Sequence, residues 1–421
     1  QTRAGAAQRS GEPRRRDSQP WHEPLTCNMM EGDHEGVVAA VVVMSCSRPL
    51  YLQRTMDNLL MKWNRDSSYK KKFPLFISQD GPDVVTTAAV NKYARKGVTS
   101  MFHPWREATF VRTFMERPKE NIAYYRIAAH YRFALGQLFE CARFPLVLIL
   151  EDDMEISVDF FDYFEGLSKI LHRDPTLLAV SSWNDNGQVR FVSDPEAVYR
   201  SDFFPGLGWM MRREVWVNEF VSSWPKAYWD DWIRQHEVQK GRQVIRPEVC
   251  RTFNFGEKGA SHGQFYKQYL ATIRLNDVPV RWTRKDLGYL VDETYWNFFT
   301  EIIRSAPHAQ VPADIKTTRG DFVIYYDSHK AFDELALHFG IFREWKDGMP
   351  RTSYQGVVIF RMGNVRVFIT PRNLKPPPMA RPDGTRPYIG PVYPPMPHMP
   401  PGKSQYVRGP VSPYGPGVPQ L

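Results

Sequence analysis

The apolar positions of the chain fall into short runs that alternate with stretches of helical spacing. VVAAVVVMS, residues 37–45, is β-branched and apolar at odd and even positions alike, the pattern of a strand covered on both faces. After the break SRP, Leu52, Met56, Leu59, Leu60 and Trp63 recur at helical spacing, so residues 51–63 predict an amphipathic helix. FPLFISQDG (73–81) predicts a second strand ending in a turn, and residues 122–139 an aromatic-rich helix. FPLVLIL (144–150) predicts a third buried strand, residues 160–171 a helix, and LLAVSSWND (177–185) a fourth strand. Strands alternating with helices predict an α/β fold, a mainly parallel sheet with helices on both faces.

Past residue 255 the pattern changes. GEKGASHGQ (256–264) has three glycines in nine residues and reads as a mobile loop, followed by a linker to residue 285. Residues 286–373 predict a smaller α+β domain: FVIYYD (322–327), a helix over 331–340, and two strands, 356–362 and 365–370, joined by the hairpin pair Gly363-Asn364. The flanks lack apolar periodicity. Residues 1–35 are charged and rich in turn formers, and residues 374–421 hold 15 prolines; both are expected to be disordered, the first stem-like. The expected main domain therefore spans 36–255.

Composition narrows the class. A chain of 421 residues with 42% hydrophobic and 24% charged residues suits a globular protein of more than one core. The net charge of +9 is spread without a dense Lys/Arg run, so no nucleic-acid partner is expected, although a mild positive field favours an anionic ligand. Cys27, Cys46, Cys141 and Cys250 show neither metal-ligand spacing nor the density of a disulfide scaffold. The longest apolar runs are far shorter than the ~20 residues that a membrane span needs. The chain begins at Gln1 rather than Met, which suggests that an N-terminal piece is missing from it, so the lack of an anchor here says little about the native protein.

The local chemistry is concentrated in LVLILEDDM. A buried strand delivers Glu151, Asp152 and Asp153 at its C-terminal end, where open α/β sheets bind ligands. Three adjacent carboxylates repel one another, and a hard divalent cation, Mn²⁺ or Mg²⁺, with a diphosphate completing its shell, would compensate them; a solvated acidic turn is the plain alternative. WPKAYWDDWIR (224–234) sets Asp230 and Asp231 among aromatic residues. Desolvation there would raise an aspartate pKa and suit Asp230 to general base work, the alternative being a helix start with Trp residues as core. DFFPGLGWMMRR (202–213) brackets Leu207 with two glycines, which allows close backbone approach to a ligand or merely a tight turn. Arg48, Asp80 and His130 are polar residues at strand ends or on a helix, each explicable as structural when taken alone.

Together, VVVMSCSRP, FPLFISQDG, LILEDDMEISVDFFDYFE, VSSWNDNG, YRSDFFPGLGWMMRRE, WPKAYWDDWIR, IRPEVCRTFNFGEKGASHGQF and LNDVPVRWT resemble, in order, the N-acetylglucosaminyltransferase I family, with the likeness running from about residue 37 to 370. The resemblance implies a GT-A fold whose first domain binds a nucleotide sugar. It implies UDP-GlcNAc as donor, Mn²⁺ as cofactor (Mg²⁺ as substitute), and inverting β1,2 transfer to the α1,3-linked mannose of a Man5GlcNAc2 N-glycan, the step that opens hybrid and complex N-glycan synthesis. It places such an enzyme in the Golgi lumen behind a type II membrane anchor.

Residue by residue, the resemblance makes Asp153 the metal ligand and Asp230 the general base. It sets Glu151 against GlcNAc and Asp152 against the ribose and diphosphate. Arg48, Asp80 and His130 would hold the uridine, Leu207 and Trp229 would line the GlcNAc, and Ala260 and Ser261 would belong to a lid over the donor. Gly81 and Val244 stand where family members carry bridging cysteines, so no functional disulfide is expected. Two other functions stand beside this one: β1,2-GlcNAc transfer to O-linked mannose, and a sugar-binding relative without catalysis. The Pro-rich tail could in addition serve an SH3- or WW-type partner as a polyproline II ligand.

Overall fold

The computed structural model describes residues 25–29, 31–104, 122–257, 259, 266–315 and 320–388. Strands β1 (Ala40–Ser45), β2 (Leu75–Asp80), β3 (Thr99–His103) and β4 (Leu146–Glu151) form a parallel group, with β1 paired to both β2 and β4. Next come β5 (Met154–Ile156), β6 (Leu177–Ser181), β7 (Val198–Ser201), β8 (Trp209–Arg212), β9 (Gln243–Pro247) and β10 (Thr252–Asn254). The main sheet has eight strands in the order β3-β2-β1-β4-β8-β6-β9-β7, with β8 antiparallel to β4 and β6. β5 pairs with β10 apart from it, just beyond the end of β4.

Both faces of the sheet are buried, as the doubly apolar strands predict. Val41, Val43, Leu146, Leu148 and Leu150 pack into one cluster with Leu52, Met56 and Leu59 of the helix Pro49–Trp63. Ala40, Val42, Met44, Val147 and Ile149 pack into the other with Tyr131 and Leu135 of the helix Ile122–Gly136. At ~25 cal/mol per Å² of apolar surface buried, each of the Val, Leu, Ile and Met side chains among these contributes about 1.5–3 kcal/mol. The sheet is thus a rigid platform, and β4 runs through its centre to deliver the acidic residues.

A second sheet lies later in the chain. It joins β11 (His308–Ala309), β12 (Gly320–Tyr326), β15 (Val358–Met362) and β16 (Val365–Pro371) in the order β11-β12-β16-β15. β15 and β16 pair antiparallel around Gly363-Asn364, the expected hairpin. Between β12 and β15 a small hairpin, β13 (Trp345–Lys346) and β14 (Met349–Pro350), turns on Asp347 and Gly348, both at positive φ (48° and 77°) as a tight two-residue turn requires. Among the described residues no helix is long and apolar enough to cross a membrane.

Three expectations about the flanks and cysteines need correction. Cys27 and Cys141 form a disulfide across 114 residues, so a bridge exists although no local spacing announces it. That bridge, with the Asn28 amide donating to Gln137 Oε1 (2.9 Å) and His34 Nε2 lying 2.6 Å from Ala142 O, holds residues 25–29 and 31–35 against the main domain instead of leaving them disordered. Residues 374–388 are also docked: the Arg386 amide donates to Lys240 O at 2.8 Å, its guanidinium pairs with Asp292, and Thr385 and Arg386 are buried. The remaining proline-rich residues from 389 lie outside the described residues.

Candidate functional site

The turn after β4 is tied down from the helix that follows β1. Thr55 Oγ1 donates to Asp152 O at 2.8 Å and accepts from the Met154 amide at 3.1 Å, so this hydroxyl fixes the backbone on both sides of Asp153. Arg48, at the start of that helix, donates from Nη1 to Asp153 Oδ2 at 2.9 Å and pairs through Nη2 with Asp152. The strand-end acids therefore carry a guanidinium counter-charge. Burial still dominates at Glu151, with Asp153 adding to it, and pushes its pKa up to about 7; burial raises Asp152 to about 6 against the opposing pull of Arg48. Both carboxyls are poised to gain from a cation.

Asn254 at the end of β10 donates from Nδ2 to Asp153 Oδ1 at 2.9 Å, and its own Oδ1 accepts from the Gly256 amide at 3.0 Å. A Cβ at residue 256 would lie 2.1 Å from Asp153 Oδ2, so only glycine lets the chain pass this carboxylate. Asp153 is thus aimed from three sides by Arg48, Asn254 and the bare backbone of Gly256.

The second pair of acids stands across an aromatic wall. Tyr131 donates its hydroxyl to Glu151 Oε1 at 2.9 Å, and its ring stacks on Trp229 with centroids 4.4 Å apart. Trp229 in turn stacks near Trp209 (5.7 Å) and Trp224 (6.3 Å), and a Cβ on Gly206 would lie 3.4 Å from its indole. This packing brings the turn with Leu207 to the same wall. Leu207 is half-buried, and its carbonyl accepts from Thr252 Oγ1 at 2.8 Å.

Asp230 follows Trp229 at the start of the helix Trp229–Arg234, entered through Tyr228 in a left-handed conformation (φ 54°), uncommon for a bulky residue. The buried Arg234 donates from Nη1 to Asp230 Oδ2 at 2.8 Å and to Asp231 Oδ1 at 3.1 Å, and from Nε to Phe204 O at 3.0 Å. Lys346 Nζ sits 3.2 Å from Asp231 Oδ1. The aromatic surroundings were expected to raise the Asp230 pKa. Desolvation does push upward, but the Arg234 ion pair and hydrogen bond outweigh it, and the net shift is downward. The side chain keeps 41% of its surface exposed, so a group approaching from solvent can reach the carboxylate.

Asp80 and His130 lie on either side of His103 near the end of β2. Asp80 Oδ1 lies 2.6 Å from His103 Nδ1; the His103 ring stacks parallel to His130 at 5.8 Å, and His130 Nε2 is 2.8 Å from Ser78 Oγ. Burial lowers the His130 pKa to about 4, which makes it a neutral imidazole. The structure joins Arg48 directly to the acid turn, links Asp80 to His130 through His103, and links Glu151 to Trp229 through Tyr131. Ala260 and Ser261 lie outside the described residues. Four contributors escaped the sequence reading: Tyr131, Asn254, His103 and Arg234. Only Arg234 had a usable signal, its i+4 spacing from Asp230 on a helix.

The mainly parallel sheet with helices on both faces and carboxylates gathered at the end of β4 places the chain in the α/β class. The GNT-I family model matches residues 14–375, and the chain belongs to that family. It is 52% identical over 332 residues to the Alpha-1,3-mannosyl-glycoprotein 2-beta-N-acetylglucosaminyltransferase of Arabidopsis thaliana, covering 78% of this chain and 72% of that protein. Among solved structures it is similar to the mannosyltransferase PcManGT of Pyrobaculum calidifontis, solved with GDP-Man and Mn²⁺, at 15% identity and a TM-score of 0.33, covering 60% of this chain and 67% of that one. It is also similar to S. aureus TarS at 13% identity and a TM-score of 0.34, covering 50% of this chain and 58% of that one.

Proposed function

We propose that this chain transfers GlcNAc from UDP-GlcNAc, with inversion, to the 2-hydroxyl of the α1,3-linked mannose of a Man5GlcNAc2 N-glycan. The observation that carries this reading is the short bridge from acid turn to aspartate: Glu151 to Tyr131 at 2.9 Å, Tyr131 to Trp229 at 4.4 Å, then Asp230 as the next residue. A donor sugar held at Glu151 and an acceptor hydroxyl held at Asp230 would share one aromatic-walled space. The 52% identity to a relative of that named activity supports the same donor and acceptor.

Hard carboxylate oxygens with upward-shifted pKa values fit Mn²⁺, or Mg²⁺ in its place. Among the described residues no group of three or more His, Cys, Asp or Glu side chains is placed to hold a metal ion by itself. Asp153 would hold the ion, oriented by Asn254. When bound, the ion supplies Lewis-acid stabilisation of the diphosphate leaving group.

The chain's own residues do the rest. Arg48, Asp80 and His130 line the region proposed for the uridine and phosphates, with Asp152 beside them. Leu207 and Trp229 would flank the GlcNAc. Asp230, kept ionised by Arg234, accepts the proton from the mannose 2-hydroxyl. That oxygen forms its bond to the anomeric carbon as the bond to UDP breaks, and the electron pair leaves with UDP, turning an α donor into a β product. The Cys27–Cys141 bridge suits an oxidising lumen and supports placement in the Golgi. Incubation with UDP-GlcNAc and competing Man5GlcNAc2 and O-mannosyl peptide acceptors tests the reading: β1,2 product on the N-glycan is expected, and exclusive use of the O-mannosyl peptide would overturn the acceptor.

A further inference from the structure

Residues 376–388 lie beyond the segment matched by the family model, yet they are built into the molecule. Asp383 Oδ1 accepts from the Thr385 amide (2.9 Å) and hydroxyl (2.7 Å), closing a turn at Gly384. Gly384, at φ 81°, rests so closely on the Pro175 backbone that no side chain fits there. With Arg386 bonded to Lys240 and Asp292, the strap is clamped, and it delivers Tyr388 to a defined place.

That place adjoins the acceptor side of the site. The Tyr388 ring sits 4.0 Å from that of His236 and stays 59% exposed. The His236 amide donates to Asp347 Oδ2 at 2.9 Å, and its Nε2 lies 2.9 Å from Asp347 O. Asp347 follows Lys346, which pairs with Asp231 beside Asp230. A continuous rim therefore runs from Asp230 through Lys346 and Asp347 to His236 and Tyr388. Five residues lie between Asp230 and His236, and Asp230 to Arg234 is helical, so the two Cα atoms are at most about 13 Å apart. A reacting mannose at Asp230 leaves the rest of this rim to the other sugars of a branched oligosaccharide.

An exposed aromatic face beside an imidazole and a half-exposed carboxylate offers a sugar ring an apolar surface together with hydrogen-bond partners for its hydroxyls. We infer that Tyr388, with His236 and Asp347, forms an outer carbohydrate subsite for a part of the acceptor glycan remote from the reacting mannose. The inference rests on the proposed transferase reading. Its content beyond that reading is that the strap, outside the family match, adds acceptor affinity of its own.

The test compares KM for Man5GlcNAc2 with KM for methyl α-mannoside in the unsubstituted chain, Tyr388→Ala and Tyr388→Phe, with thermal unfolding as a check of folding. The ratio of the mannoside KM to the Man5GlcNAc2 KM is expected to fall about five-fold in Tyr388→Ala and to hold within two-fold in Tyr388→Phe, which keeps the ring. An unchanged ratio in folded Tyr388→Ala overturns the subsite while leaving the transferase reading intact. Absence of transfer to either acceptor by the unsubstituted chain overturns both.

Discussion

The hydroxyl of Tyr131 donates to Glu151 while the face of the same ring stacks on Trp229, the residue before Asp230. One side chain thus spaces the acid turn from the aspartate opposite. Replacing it with Phe keeps the stack and removes only the hydrogen bond to the donor-side carboxylate. Tyr131→Phe is expected to weaken UDP-GlcNAc about five- to ten-fold, in line with about 1–1.5 kcal/mol for one hydrogen bond, while the acceptor KM stays within two-fold. Initial-rate kinetics with each substrate varied in turn check this, and an acceptor-only effect would contradict it.

Arg234 sets the charge state of Asp230. The guanidinium is the strongest influence holding the Asp230 pKa below the ordinary aspartate range, so its removal moves that pKa up. Arg234→Met is expected to shift the acid limb of the kcat/KM profile to higher pH, because Asp230 then protonates sooner as pH falls. Arg234→Lys should recover part of the shift. A pH–rate profile identical to that of the unsubstituted chain would exclude the arginine from this role.

His130 links pH to stability. Its pKa is about 4 in the folded chain against 6.5 for an ordinary histidine, so the unfolded chain binds more protons between those values. The stabilisation is present above pH 6.5 and is lost as pH falls through about 4, amounting to about 3 kcal/mol. Denaturant unfolding across this range should show stability rising with pH, and His130→Gln should flatten the slope. A slope unchanged by the substitution would assign it to other groups.

Gly256 is the position where backbone yields to Asp153. Gly256→Ala places a methyl group in the space of the carboxylate and is expected to lower Mn²⁺ affinity at least ten-fold with little change in Tm. Paramagnetic resonance of free Mn²⁺ reads this without turnover. Unchanged metal binding would separate Asp153 from the metal.

What could be read from the sequence follows from where burial is uniform. β1 and β4 are apolar at every position but the last, Ser45 and Glu151, because helices cover both faces, and the EDD turn follows from the end of that run. β7, β8 and β9 were missed because each carries a buried arginine: Arg200, Arg212 and Arg246. Their charges are accommodated by distant partners, such as Asp174, 2.7 Å from Arg200, that no local window contains. The disulfide was hidden for the same reason, its cysteines lying 114 residues apart. The docked strap was hidden by its composition, since a proline-rich segment can still be held where Gly384 and Arg386 find fixed partners. At Asp230 the aromatic neighbours were legible, but the sign of the pKa shift depended on Arg234 folding back along the helix.

The most direct test of the account is GlcNAc transfer from UDP-GlcNAc to Man5GlcNAc2 in the presence of Mn²⁺ by the unsubstituted chain and by Asp230→Asn, with the product linkage determined by NMR. A β1,2 product is predicted, with kcat falling about 10²- to 10⁴-fold in Asp230→Asn, the range for loss of a general base, and donor KM held within a few-fold. Full kcat in Asp230→Asn, or an α-linked product, would contradict the account.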